Sequence, residues 1–186
     1  MTDNPSSLAG GNQGNRSSLD FYATPPETTE ALFRVESFEG DIWECACGDG
    51  AMSQVIEKYN KCYSSDIRND NSIYGDGGID FLLAGEEFIT NNIITNPPYS
   101  LASAFVRQGL RLSTKKLALF LRLNFLEGQG RYSMFKNTPL KTVHVFCKRQ
   151  TLHPPGIVVR TGGIIAYAWF VWDKEYSGRP YLDWIQ

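Results

Sequence analysis

Short apolar runs separated by stretches of helical spacing recur along the chain, the pattern of a sheet with helices between its strands. Asp41-Ile42-Trp43-Glu44 reads as a short strand, followed by a helical pattern from residue 51 to about 59. Residues 61–65 form a second predicted strand, and Asn92-Ile93-Ile94-Thr95 is an apolar run suited to a buried parallel strand. Over 101–112, Leu101, Phe105, Val106 and Leu110 fall on or near one helical face. Residues 116–121 are a further buried strand, and 142–147 and 164–172 are two more, rich in β-branched and aromatic residues. The expected fold class is α/β: a mostly parallel sheet of about seven strands, helices on both faces, and one antiparallel strand brought in by a closing hairpin. The aromatic run Tyr167-Ala168-Trp169-Phe170-Val171-Trp172 is read as core.

Composition narrows this to one domain. A chain of 186 residues with 42% apolar content buries one core and has little left for a second. Residues 1–18 are rich in Asn, Gly and Ser and are expected to be a disordered tail, leaving 19–186 as the domain. With no signal peptide or membrane-length apolar run visible, a cytoplasmic location and no membrane partner are expected. Cys45, Cys47, Cys62 and Cys147 lack paired Cys-x-x-Cys spacing, so reduced and mostly buried thiols are expected, and no metal. His144 alternates with apolar residues and is read as structural, while His153 sits beside two prolines in a loop.

Net charge is only −2, but its distribution is uneven. Residues 1–104 carry 5 Lys+Arg against 16 Asp+Glu, and residues 105–186 carry 13 against 4. A basic half next to an acidic one suits a polyanion-facing surface beside a small-molecule pocket. Arg122, Arg131, Lys148, Arg149 and Arg160 are the candidate phosphate contacts. The irregular polar segment 148–163 is the candidate substrate-recognition loop.

The chemistry concentrates at Asn96-Pro97-Pro98-Tyr99, directly after a predicted strand. Consecutive prolines cannot continue the strand, so the chain leaves the sheet rigidly there. Without proline N–H groups the loop offers carbonyl acceptors, which suits a planar ring bearing an exocyclic amino group. Asn96 Oδ1 and the Pro97 carbonyl would accept from that amine, and Tyr99 would stack on the ring. Upstream, the strand ending at Glu44 runs into Cys45-Ala46-Cys47-Gly48-Asp49-Gly50 and then a helix. Strand, glycine turn and helix together form the nucleotide-binding arrangement of doubly wound folds. Gly48 and Gly50 would let backbone approach a ligand, and Glu44 would accept from a ligand ammonium. The spacing is neither that of a dinucleotide fingerprint nor that of a phosphate loop.

Asn96-Pro97-Pro98-Tyr99 resembles the catalytic motif of S-adenosylmethionine-dependent amino-methyltransferases, above all DNA adenine-N6 methyltransferases. Similar tetrapeptides also serve enzymes acting on RNA bases and on protein glutamine. The glycine turn with Glu44, Ala46, Gly48 and Gly50 resembles the methionine-binding motif of the class I fold. The resemblance implies further cofactor contacts. Asp66 would hold ribose hydroxyls, Ile67 would pack on adenine, and Asp80 would accept from adenine N6 with Phe81 beside it. Phe21-Tyr22-Ala23-Thr24-Pro25-Pro26 resembles the remaining cofactor motif, with Tyr22, Thr24 and Pro25 near the methionine moiety. Thr24 also reads as a helix N-cap, with Glu27 three residues on.

These motifs follow the order of adenine methyltransferases whose cofactor region precedes the catalytic one. The likeness is greatest to small phage-type members, matched at 121–128 and 168–172. It implies a class I, Rossmann-like domain that methylates adenine N6 in DNA with S-adenosyl-L-methionine. Cytosine-N4 and RNA substrates stay open, as does a non-catalytic nucleic-acid-binding role.

Overall fold

The computed structural model of the protein describes residues 23–152 and 165–186. Eight strands form one sheet: β1 (Ile42–Glu44), β2 (Cys62–Asp66), β3 (Asp76–Gly77), β4 (Thr90–Thr95), β5 (Ser113–Arg122), β6 (Leu140–Phe146), β7 (Tyr167–Asp173) and β8 (Tyr181–Ile185). Their spatial order is β3-β2-β1-β4-β5-β7-β6-β8. Every neighbouring pair is parallel except those of β7, which runs antiparallel to β5 and β6. Helices α1 (Pro26–Val35), α2 (Ser53–Ile56), α3 (Ala102–Leu112) and α4 (Tyr132–Asn137) complete the described regular structure, with short 3₁₀ turns between.

The α/β class and the single antiparallel strand agree with the sequence reading, but the sheet has eight strands where about seven were expected. β3 is only two residues long, and β8 buries Ile185 alone, so neither carries an apolar period to read. The helix expected from residue 51 to about 59 shrinks to the four residues of α2, flanked by turns.

Each face of the sheet packs its own layer. In β5, Leu117, Leu119 and Leu121 point to one side with Phe105, Val106 and Leu112 of α3. Ala118 and Phe120 point to the other, with Ala31 and Leu32 of α1 and Ile56 of α2. This two-residue alternation, apolar on both sides, is why β5 reads as a continuous apolar run. The aromatic run of β7 is core as expected: Trp169, Phe170 and Trp172 are fully buried. Their indoles find acceptors, Trp169 Nε1 donating to Thr28 O at 2.9 Å and Trp172 Nε1 to Thr138 Oγ1 at 3.1 Å.

Several charges of the basic half serve the fold. Glu36, at the end of α1, is buried and takes Lys116 Nζ at 2.8 Å, Lys141 Nζ at 3.1 Å and His144 Nε2 at 3.2 Å. Asp173 lies within 3.6 Å and 3.8 Å of the same two lysines. Lys115 pairs with Glu39 at 2.7 Å. His144 is therefore structural, as its alternation suggested. These lysines neutralise acids of the amino-terminal half rather than facing a polyanion.

Of the four free cysteines, Cys45 and Cys47 are buried, Cys62 is half-buried and Cys147 is exposed. Among the described residues no helix is long and apolar enough to cross a membrane. The tail 1–18, Tyr22, His153, Arg160 and most of the loop 148–163 lie outside the described residues.

Candidate active site

β1 is flanked by β2 on one side and β4 on the other, so the chain reverses its direction of travel across the sheet at β1–β4. In doubly wound sheets such a reversal leaves a crevice at the carboxyl ends of the strands. A cleft of about 160 Å³ opens there, lined by residues from the ends of β1, β2 and β4 and from the loops that follow them. A single water needs roughly 10–15 Å³ on the same measure, so the cleft suits an organic molecule of some length.

Most of the residues singled out in the sequence converge on this cleft. Thr24, Glu44, Ala46, Asp66, Ile67, Asp80, Phe81, Asn96 and Pro98 all line it. The other residues singled out for it are placed differently. Pro25 lines a neighbouring cleft together with Lys148 and Arg149, and this second cleft shares Ala23, Thr24 and Ala51 with the first. Gly48, Gly50, Pro97 and Tyr99 are not among the residues lining the first cleft.

The glycines act through the turn. Gly48 and Gly50 have φ of 53° and 82°. The Gly48 N–H donates to Asp66 Oδ2 at 2.9 Å, and a Cβ on Gly50 would lie 2.2 Å from Tyr74 Cγ. Their first duty is thus a left-handed turn packed against the chain after β2, not an open approach to a ligand.

Glu44 closes the floor of the cleft. It is buried, and it accepts from Thr95 Oγ1 at 2.5 Å and from the Ala46 N–H at 3.2 Å. Burial raises its carboxyl to about 7 against those two hydrogen bonds, and nearby Asp66 adds to the rise. A carboxyl poised near neutrality in a cleft suits a cationic ligand group, which would draw it into the ionised form. Thr95 immediately precedes Asn96, so the acid of the first crossover and the proline loop are joined by one hydrogen bond. The flanking thiols offer no nucleophile: burial raises Cys47 to about 11 and holds Cys45 well above its ordinary value.

Thr24 caps no helix, which corrects the sequence reading. The N-cap of α1 is Pro25, with no side-chain capping bond. Instead the Thr24 hydroxyl accepts from Asn96 Nδ2 at 3.0 Å. That bond orients the Asn96 amide by its nitrogen and assigns its carbonyl oxygen the remaining acceptor role.

Asp66 is more heavily engaged than a free ribose acceptor. Besides Gly48, it takes the Arg68 N–H at 2.9 Å and the Arg68 guanidinium at 3.1 Å and 3.2 Å. These four bonds match the roughly four lone-pair sites of a carboxylate, so a ribose would have to displace the guanidinium. Asp80 Oδ1 accepts from the Leu82 N–H at 2.9 Å. Phe81 is buried edge-on to Trp43 at 5.2 Å and contacts Phe105 at 4.7 Å, fixing one wall. Ile67 is 52% exposed, an uncovered apolar side chain at the rim. Arg68, Leu101 and Phe105 also line the cleft and were not anticipated. Of these, Leu101 and Phe105 carried a signal, their place on the apolar face read over 101–112.

Tyr99 begins the 3₁₀ turn before α3 and packs on Tyr167 at 5.9 Å. The Arg122 guanidinium lies 4.7 Å from its ring centroid. Burial, with Tyr167 close by, lifts its phenol far above the ordinary range in spite of Arg122. The ring stays neutral at any working pH and is no general base.

The candidate phosphate contacts divide. Arg131 staples its own loop, with Nε donating to Phe125 O at 2.8 Å and the guanidinium also reaching Glu127 O. Its guanidinium further packs on the Phe125 ring at 5.0 Å, so its observed role is structural. Lys148 and Arg149 are exposed beside the second cleft, while Arg122 faces Tyr99.

Comparison of the sequence with protein-family models and with curated proteins gave no match. Solved structures do match in fold. The modification subunit assigned to a type I restriction enzyme of Vibrio vulnificus YJ016 aligns at 15% identity with a TM-score of 0.58, over 88% of this chain and 46% of that one. This chain therefore spans about half the length of that relative. The 23S rRNA methyltransferase ErmE aligns at 15% identity and a TM-score of 0.60, over 84% of this chain and 71% of that one. A protein from Listeria monocytogenes assigned as a class I S-adenosylmethionine-dependent methyltransferase aligns at 11% and 0.57, over 85% and 62%. The chain shares the α/β fold of these methyltransferase structures.

Proposed function

We propose that the protein transfers a methyl group from S-adenosyl-L-methionine to the exocyclic N6 amine of adenine in DNA. The observation that carries this reading is the meeting of two elements in one cleft. Glu44 and Ala46 of the first crossover and Asn96 and Pro98 of the proline loop line the same space, with Thr95 bonded to Glu44 and Asn96 bonded to Thr24.

The residues fit the cofactor by their donor set. Glu44 would hold the ammonium, Ile67 and Phe81 the adenine ring, and Asp80 its amine, with Asp66 taking the ribose once Arg68 yields. When bound, the cofactor supplies an electrophilic methyl group. The chain's own work is to present the acceptor nitrogen. Asn96 Oδ1 and the Pro97 carbonyl would accept the two N–H bonds of the target amine, favouring a pyramidal nitrogen with a free lone pair. The attacking amine is neutral, so no strong base is needed beforehand, and most of the rate comes from positioning. Within a duplex, the target base would first have to leave the stack.

The assay that tests this uses labelled cofactor with DNA and, separately, RNA, followed by digestion to nucleosides. Label in N6-methyl-2′-deoxyadenosine from DNA is the expected result, and Asn96→Ala should lower transfer at least 100-fold with cofactor affinity nearly unchanged. Wild-type activity in Asn96→Ala would remove Asn96 from the mechanism. RNA is the second reading, favoured by the structural likeness to an rRNA methyltransferase. Label found only in RNA would select it.

A further inference from the structure

Arg122 is the last residue of β5 and pairs with Tyr167 across the β5–β7 ladder. That register places it beside the proline loop, at the carboxyl edge of the sheet where the cleft opens. Its guanidinium lies over the Tyr99 ring at 4.7 Å, and its Nε is buried with no hydrogen-bond partner among the described residues. None of the ion pairs found among the described residues involves it. A buried guanidinium N–H without an acceptor is unusual in a folded protein and calls for a structural or functional reason.

One face of the Tyr99 ring is thus already covered, by a planar cation. A guanidinium stacks on a purine as it does on a phenol ring. A phosphate contact demands an exposed side chain reaching outward, whereas this Nε is enclosed against an aromatic ring. We infer that Arg122 is a contact of the target base and not of the nucleic-acid backbone: the base enters between guanidinium and Tyr99 and stacks on both, and the outward shift releases the Nε–H from its enclosure. The guanidinium must move outward by about one ring thickness, roughly 3.5 Å, to admit it. This inference rests on the proposed methyl transfer to a base.

The test compares the full-length wild type with Arg122→Met and Arg122→Lys. Measured quantities are methyl transfer to unmethylated duplex DNA, cofactor affinity by calorimetry, and DNA affinity between 50 and 200 mM salt. For Arg122→Met, kcat/KM for DNA should fall at least tenfold, with cofactor affinity unchanged. The slope of log affinity against log salt should also stay unchanged, because no phosphate contact is lost. Arg122→Lys, which keeps the charge and loses the plane, should recover little activity. A salt slope reduced by about 1 in Arg122→Met, or full recovery in Arg122→Lys, would identify a phosphate contact and overturn the inference. Unchanged kcat/KM in Arg122→Met would overturn it as well. Failure of the wild type to methylate any nucleic acid is a separate result, which removes the parent reading and this one with it.

Discussion

At the scale of single residues, the cleft is organised by side chains that bond to one another across long stretches of sequence. Glu44 shows the consequence most directly. A carboxyl raised to about 7 by burial is only about one-tenth ionised at pH 6 and about nine-tenths at pH 8. If a cofactor ammonium binds its carboxylate, binding releases that proton, and affinity should rise about tenfold from pH 6 to pH 8. Calorimetry across this range measures it, and Glu44→Gln should flatten the dependence. The ligand-free protein responds with the opposite sign. The folded pKa lies above the ordinary 4.5, so the folded state holds the extra proton between those values, and stability falls as pH rises through that window. Glu44→Gln should therefore be more stable than wild type at pH 8, by a few kcal/mol at most. Equal stability of the two proteins at pH 8 would mean that the carboxyl ionises without cost.

At the scale of elements, the turn between β1 and α2 determines whether the cleft has a floor. Gly50 has φ of 82°, a region that costs an L-residue about 1–2 kcal/mol. An added Cβ would also meet Tyr74 at its ring root, 2.2 Å from Cγ and 2.6 Å from Cβ, where rotation of the ring gives little relief. Gly50→Ala should cost about 2 kcal/mol, or lower Tm by roughly 4–8 °C for a domain of this size. A thermal melt superimposable on wild type would show that the turn relaxes freely. The glycine turn itself was legible in the sequence because its spacing is local, and so was the proline loop that ends β4. Thr24 was misread for the same reason. Pro25 and Pro26 do mark a helix start, but the choice between capping that helix and orienting Asn96 rests on a partner 72 positions away. The length of α2 was equally illegible, since an apolar face is shared by a long helix and by a run of tight turns.

At the scale of the whole molecule, the end of the sheet away from the cleft is held by one buried cluster. Glu36 joins α1 to β5 and β6 through Lys116, Lys141 and His144. Burial alone would raise its carboxyl, but the bonds from His144, Lys116 and Lys141 outweigh this and hold it at about 2. The sign follows. The folded pKa is below the ordinary 4.5, so this stabilisation is fully present above that value and is lost as pH falls towards 2. Glu36→Ala would leave two half-buried lysines without their acceptor and should cost about 3 kcal/mol at pH 7 by urea unfolding. A loss under 1 kcal/mol would show that Asp173 alone satisfies them. The same cluster explains why the charge imbalance between the two halves overstated a polyanion surface: three lysines of the basic half neutralise acids of the other.

The amino-acid sequence by itself determined the α/β class, the presence of one antiparallel strand, the buried aromatic core and the positions of the two loops that meet in the cleft. Each of these is written in residue period or in proline and glycine chemistry, which act over a few neighbours. Only the tertiary structure decided what those residues face. It loads Asp66 with Arg68, folds Arg131 back on its own loop, gives Asn96 to Thr24 and lays Arg122 over Tyr99. Side-chain partners of this kind are chosen by sheet order and packing, which no local window of sequence contains.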